Sequence, residues 1–189
     1  MRMIKRFAIR LARDRRAVAG VEFALNSIVF LIILAGTIDV GNMIFSAYQL
    51  DATVSAGAQY AVVSGSSVNS TSGASLANSI SAIVNNGHGS GGGWSNTVVV
   101  NNGPTTATAD GSASSSGTPV NADSCYCPSG TPGSWSWGGS QTCGASCAGG
   151  GIAGKFVSIT ATRTFTPFFP AWAIISSNSL TRTAMVQVQ

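Results

Sequence analysis

One apolar run limits what this chain can become. Phe23 to Ile38 contains no charged residue, with Glu22 just before it and Asp39 just after. As a helix the run is about 24 Å long at 1.5 Å per residue. A bilayer's hydrocarbon core is about 30 Å thick. Val40 to Phe45 extends the apolar character, so the run predicts a membrane-spanning helix with its acids at the interfaces. Neither Pro nor a turn cluster interrupts Val18 through Val63. The helix is therefore expected to continue as a rod of about 70 Å. A soluble core helix and a cleaved secretory signal peptide compete with this reading. The apolar stretch is long for a signal peptide, and no Ala-x-Ala type site follows it.

Charge supports the membrane reading. Seven of the ten basic residues fall before the apolar run: Arg2, Lys5, Arg6, Arg10, Arg13, Arg15 and Arg16. With Asp14 they give the first 17 residues a net charge of +6, and the remainder carries three bases and five acids, net −2. A local basic arm of this kind is a positive-inside signal, placing the N-terminus in the cytoplasm and the rest outside. A nucleic-acid binder needs a basic folded face, and the remainder has none. Only 8% of residues are charged, against about 25% in ordinary globular proteins. Solubility must come from Ser, Thr, Asn and Gly, which suits an extracytoplasmic protein better than a cytosolic enzyme.

The junction of arm and helix reads Arg15-Arg16-Ala17-Val18-Ala19-Gly20-Val21-Glu22-Phe23-Ala24. An acid on the edge of a membrane helix is costly, about 2.5–3.5 kcal/mol at membrane depth on insertion scales, and so needs a reason. The stretch resembles the type IV prepilin processing site, most closely that of the TadE-like pseudopilins of the tight-adherence (Flp) pilus system. The resemblance implies a cut between Ala17 and Val18, which makes Glu22 the fifth mature residue. The family usually has Gly where this chain has Ala17. Val40 to Leu50 and Ala56 to Ala61 resemble the family's continuation of the helix, with Ser55, Ala56 and Gln59 at positions that are commonly Arg, Glu and Arg.

Two roles stand open for Glu22. It is either a register and recognition device that pairs with a freed N-terminal amine in low dielectric, or an interfacial acid favoured by the helix macrodipole. The small residues Ala52, Ala56 and Gly57 permit close helix approach. Their partner is either another subunit or this chain's own C-terminal domain.

Beyond the helix, Ser64 to Gly73 reads as a Ser/Gly/Asn linker. A short amphipathic helix follows, with Leu76, Ile80, Ile83 and Val84 on one face and Asn85-Asn86-Gly87 as its stop. His88 sits in a glycine-rich loop without neighbours suited to metal binding or general base work. Thr97 to Val100 reads as a strand and Thr105 to Ala109 as a weaker one. Gly111 to Pro119 reads as flexible, low-complexity chain.

All four cysteines lie in Cys125-Tyr126-Cys127 and Cys143-Gly144-Ala145-Ser146-Cys147. These spacings are not the Cys-x-x-Cys knuckles of most zinc sites. The expected topology exposes them to an oxidising compartment. Cys125, Cys127, Cys143 and Cys147 are therefore expected to form two disulfides rather than a zinc site, with three connectivities open. Pairing across the two clusters is favoured because a Cys-x-Cys ring is strained.

Lys155 to Phe165 alternates, with Val157, Ile159, Ala161 and Phe165 on one face and hydroxyl residues on the other. Leu180 to Val188 alternates as well, so two antiparallel strands with one buried face are expected. The join contains Thr166-Pro167-Phe168-Phe169-Pro170 and resembles the C-terminal signature of the same family. Its apolar residues are open to the membrane surface, to a partner, or to packing beneath the sheet.

The expected fold is α+β: a long N-terminal transmembrane helix, then a small antiparallel-sheet domain with disulfides. The expected divisions are a cytoplasmic leader 1–17, a transmembrane and extended helix 18–63, and a periplasmic head 64–189. The resemblance implies a minor pseudopilin that assists assembly or initiation of a Flp-type pilus. It implies an inner-membrane protein with a prepilin peptidase, other pilins or pseudopilins and pilus assembly proteins as partners. An unprocessed envelope adhesion or scaffold protein is the alternative. No cofactor, metal or small-molecule substrate is expected, and no nucleophile–base pairing suggests an enzyme.

Overall fold

The periodicity of the N-terminal segment is satisfied by one helix. A computed structural model describes residues 15–87, 92–164, 167 and 179–189. Helix α1 runs Arg15–Val63, with a segment from Val18 to Val63 that is long and apolar enough to cross a membrane. The chain divides into two compact units, and within α1 the boundary lies between Met43 and Ile44.

In the unit that begins at Ile44, the last turns of α1 present Leu50, Val54, Gly57 and Ala61 at helical spacing, all buried. Helix α2 (Gly73–Asn86) buries Leu76, Ala77, Ile80, Ser81 and Val84. Ile83, expected on the same face, is half-buried. Both stripes meet the inner face of an antiparallel sheet: β1 (Trp94–Val100), β2 (Thr105–Ala109), β3 (Ser112–Ser116), β6 (Phe156–Thr164) and β7 (Ser179–Gln187), in the order β3-β2-β1-β6-β7. Val98, Val100, Val157, Ile159 and Ala161 supply the sheet's share of the core. The fold is α+β. Phe165 and the apolar join that follows Pro167 lie outside the described residues.

Close approach of α1 to the core depends on Gly57. A Cβ built there would lie 3.0 Å from Val84 Cγ2 and 3.3 Å from both Ile159 Cδ1 and Ile80 Cγ2. Ala52 and Ala56, on the flank of the stripe, are exposed. The three small residues therefore do different jobs: Gly57 serves the chain's own domain, and the two alanines face outward.

Two segments depart from expectation. Ser64 to Gly73 is not a loose linker. Gly65–Ser67 forms a 3₁₀ turn, Val68 is buried, and its carbonyl accepts from Lys155 Nζ at 2.8 Å. The Asp123 carboxylate accepts from Ser70 N–H at 2.8 Å, and hydrogen bonding from the Ser70 side chain, then from its backbone, holds its pKa below the usual carboxylate value. Gly111 to Pro119 is not flexible chain either, because it contains β3. The two-residue turn Asp110-Gly111 has both φ values, 47° and 83°, in the left-handed region, so its backbone matches the right-handed twist of the strands it joins in a tight hairpin. A terminal strand needs no buried face, so Ser-Ala-Ser-Ser-Ser carries no hydrophobic alternation.

The cysteines close a loop-rich segment between β3 and β6. Cys125 bonds to Cys143 and Cys127 to Cys147, with sequence separations of 18 and 20. The bridges join the first cysteine to the third and the second to the fourth, so the two closed loops interlock. Around them, Tyr126 and Gly154 exchange backbone hydrogen bonds at 2.8 and 3.1 Å, and Trp137 stands edge-on to Tyr126. Little else in the Ser/Gly-rich segment is buried, so covalent closure supplies the constraint, worth about 3 kcal/mol per loop of this size. Strands β4 (Ser129–Thr131) and β5 (Ser134–Ser136) form a small separate hairpin inside it.

Two outcomes check this packing. Gly57→Leu overfills the contact among Val84, Ile159 and Ile80 and should cost about 1–3 kcal/mol, read as a lower thermal midpoint of the detergent-solubilised chain. Ala52→Leu should leave the midpoint within error. Mass spectrometry should show alkylation of all four cysteines only after reduction. Hydrogen exchange should then rise in residues 125–147 before it rises in β6 and β7, whose apolar face is independent of the bridges.

Candidate membrane and assembly segment

A helix can face lipid only if its polar groups are satisfied within it. The apolar run of α1 meets that requirement at its hydroxyls. Ser27 donates to the Phe23 carbonyl at 2.5 Å and Thr37 to the Leu34 carbonyl at 2.7 Å. Around them Phe23, Leu25, Ile28, Val29, Phe30, Leu31 and Ile33 are exposed. This array of large apolar side chains has water as a poor solvent on every side, and burying it in lipid or against neighbouring helices is strongly favoured.

Ala17 and Val18 both lie in the helical part of the chain, and the Val18 side chain is exposed. Glu22 is exposed as well. It lies about two turns inside the described helix, beyond the first turn in which a macrodipole acts.

At the other end of α1, the head unit grips the helix through two arginines. Arg163, on the inner face of β6, donates from Nη1 to Ser46 Oγ at 2.6 Å and to Gln49 Oε1 at 3.2 Å. Its guanidinium lies 4.8 Å from the centre of the Trp94 ring, on the neighbouring residue of β1. Arg163 Nε is buried and has no hydrogen-bond partner among the described residues. Arg182, on β7, pairs with Asp51 at 2.8 Å. That pair is half-exposed and contributes little by itself. The Arg163 cluster is the stronger fastening because its donors are partly desolvated and its plane is covered by an aromatic ring.

The spacing of β6 contained a signal for Arg163. It continues the inward series Val157, Ile159, Ala161, so an arginine there must find an acceptor inside. Which acceptor could not be read, because Ser46 and Gln49 are more than a hundred positions away. The cysteines lie on a different part of the head unit from this cluster. His88 lies outside the described residues.

Residues 18–59 match the family model described as TadE-like protein. This segment is TadE-like. The match begins at Val18, takes in Glu22, and ends within the stripe that α1 buries on the sheet. It does not reach β6 or β7, whose likeness to the family rests on the sequence motif alone. No curated protein and no solved structure matches the chain. The TadE-like helix thus joins a lipid-compatible run to a stretch that forms part of a folded head.

Removing the Arg163 fastening should weaken the head without unfolding the apolar run. Arg163→Ala should cost about 1.5–3 kcal/mol, the range for hydrogen bonds to a charged group. Denaturant titration of the full chain would read the loss, and the native tryptophan emission should shift as Trp94 loses its cation.

Proposed function

We propose that this chain is a minor pseudopilin that assists assembly or initiation of a Tad-type pilus after processing by a prepilin peptidase. The supporting observation is the TadE-like match over residues 18–59, on an exposed apolar helix that carries a single acid near its start. In this reading residues 1–17 are a cytoplasmic leader, 18–63 the transmembrane and extended helix, and 64–189 a periplasmic head. The basic arm sets that orientation. The protein is a peptidase substrate and an assembly component, and the chemistry of cleavage belongs to the peptidase.

Cleavage gives Glu22 its role. A cut between Ala17 and Val18 creates an amine four residues before Glu22. On a helix those positions share a face and differ by about 6 Å along the axis. The new positive charge, carried into low dielectric, is stabilised by a carboxylate from its own chain or from a neighbour. The pair also fixes how far one helix slides along the next, because each charge is costly when left alone in lipid. Small Ala17 fits a narrow peptidase groove, and a bulky charged residue there does not.

Co-expression with a cognate peptidase should yield a chain that begins at Val18 by N-terminal sequencing. An intact leader on protein recovered from piliated membranes would overturn the processing step and favour an unprocessed envelope scaffold. Glu22→Gln should insert as well as wild type, since it removes a charge. Recovery of the processed variant with assembly partners, normalised to membrane abundance, should fall at least tenfold, because breaking a buried ion pair costs about 3–5 kcal/mol. Wild-type recovery would sink the register role.

A further inference from the structure

Strand β3 ends the five-stranded sheet. One side pairs with β2 along Ser112 to Ser116 in unbroken register, and no described strand lies on the other. All five residues are exposed, and β3 touches α2 through Ser115 Oγ, which donates to Asn78 Oδ1 at 3.3 Å. A terminal strand presents a row of unpaired backbone donors and acceptors. Such edges are ordinarily guarded by Lys, Pro, a bulge or a covering element. Ser-Ala-Ser-Ser-Ser has no charge and no proline, and the tight Asp110-Gly111 turn holds it in place. The opposite edge strand, β7, differs: it carries Arg182, Met185 and Gln187.

Electrostatics leaves the edge open to a copy of itself. From Ile44 to Gln189 the charges are Asp51, Asp110, Asp123, Lys155, Arg163 and Arg182, a net charge of zero. Each is engaged within the chain: Asp51 with Arg182, Asp110 with Gly93 N–H, Asp123 with Ser70 N–H, Lys155 with the Val68 carbonyl, and Arg163 with Ser46. Two such heads do not repel each other, and a near-neutral surface favours association.

We propose that β3 is a self-docking edge, at which two copies of this chain pair antiparallel and join their sheets. Open backbone groups call for an extended polypeptide strand. A second copy of β3 is itself uncharged and small on both faces, so it can lie along this edge without steric or charge conflict. Centred on Ser114, the pairing sets Ser112 against Ser116, Ala113 against Ser115, and Ser114 against its own copy. The contact is isologous and closed, so it makes a dimer of heads. The interface is small, which makes the contact weak in dilute solution. Confinement of both copies to one membrane raises their effective concentration. This proposal does not rest on the processing step or on Glu22.

The self-opposed position supplies the test. Full-length chain, labelled with donor and acceptor dyes, is reconstituted in vesicles of zwitterionic lipid at a fixed protein-to-lipid ratio. Ser114→Lys and Ser114→Asp each place like charges across the two-fold and should cut energy transfer at least fivefold. Mixing the two variants should restore it, and salt should weaken that restored pairing but leave wild-type pairing unchanged. Restoration on mixing excludes misfolding as the cause of the single-variant losses. Hydrogen exchange should show the amides of Ala113 and Ser115, which alternate away from β2, becoming protected as wild-type density rises. Transfer that persists in both single variants places association elsewhere, for example along α1, and overturns the proposal. Loss that mixing does not restore overturns it equally.

Discussion

The head depends on one contact: the face of α1 formed by Leu50, Val54, Gly57 and Ala61 against Ile159, Ile80 and Val84. Burying apolar side chains of this size contributes roughly 1.5–3 kcal/mol each for Leu and Val. Gly57 determines how much of that is realised, because dispersion falls off steeply with separation. With the helix seated, Arg163 reaches Ser46 and Gln49, and Arg182 reaches Asp51. Displacing the helix by a side chain's width would strand Arg163 in the interior without acceptors. The apolar stripe sets the position, and the arginine cluster makes alternatives costly.

The same helix changes solvent along its length. Up to Ile38 its large side chains are exposed and its hydroxyls bond to their own carbonyls, as a lipid-facing helix requires. From Ser46 onward it contributes buried side chains to the head. The TadE-like match spans both regimes.

The head spends its few charges internally. Each of its six charged side chains is taken up by a contact that closes a turn, caps a loop or fastens a helix. What remains for partners is hydroxyl, amide and backbone. Such a surface recognises by shape and hydrogen bonding, without the long-range steering that charged surfaces provide.

Much of this was legible in the sequence because it depends on local periodicity. The helix limit at Val63, the apolar face of α2 and the alternation of β6 and β7 follow from residue order, and the two disulfides were expected from cysteine spacing. Glu22 stood out because an acid beside an apolar run is costly at membrane depth. Other features belong to the tertiary structure alone. Strand β3 has no buried face, so its alternation is silent, and only hydrogen bonding to β2 makes it a strand. The segment after α1 looked like a linker because its anchors, Lys155 and Asp123, are far away in sequence. The pairing of Cys125 with Cys143 and Cys127 with Cys147 needed the loop's path. The division among Ala52, Ala56 and Gly57 needed the helix's rotation. Spacing along a chain determines which residues share a face; which surface that face meets is decided by contacts between distant segments.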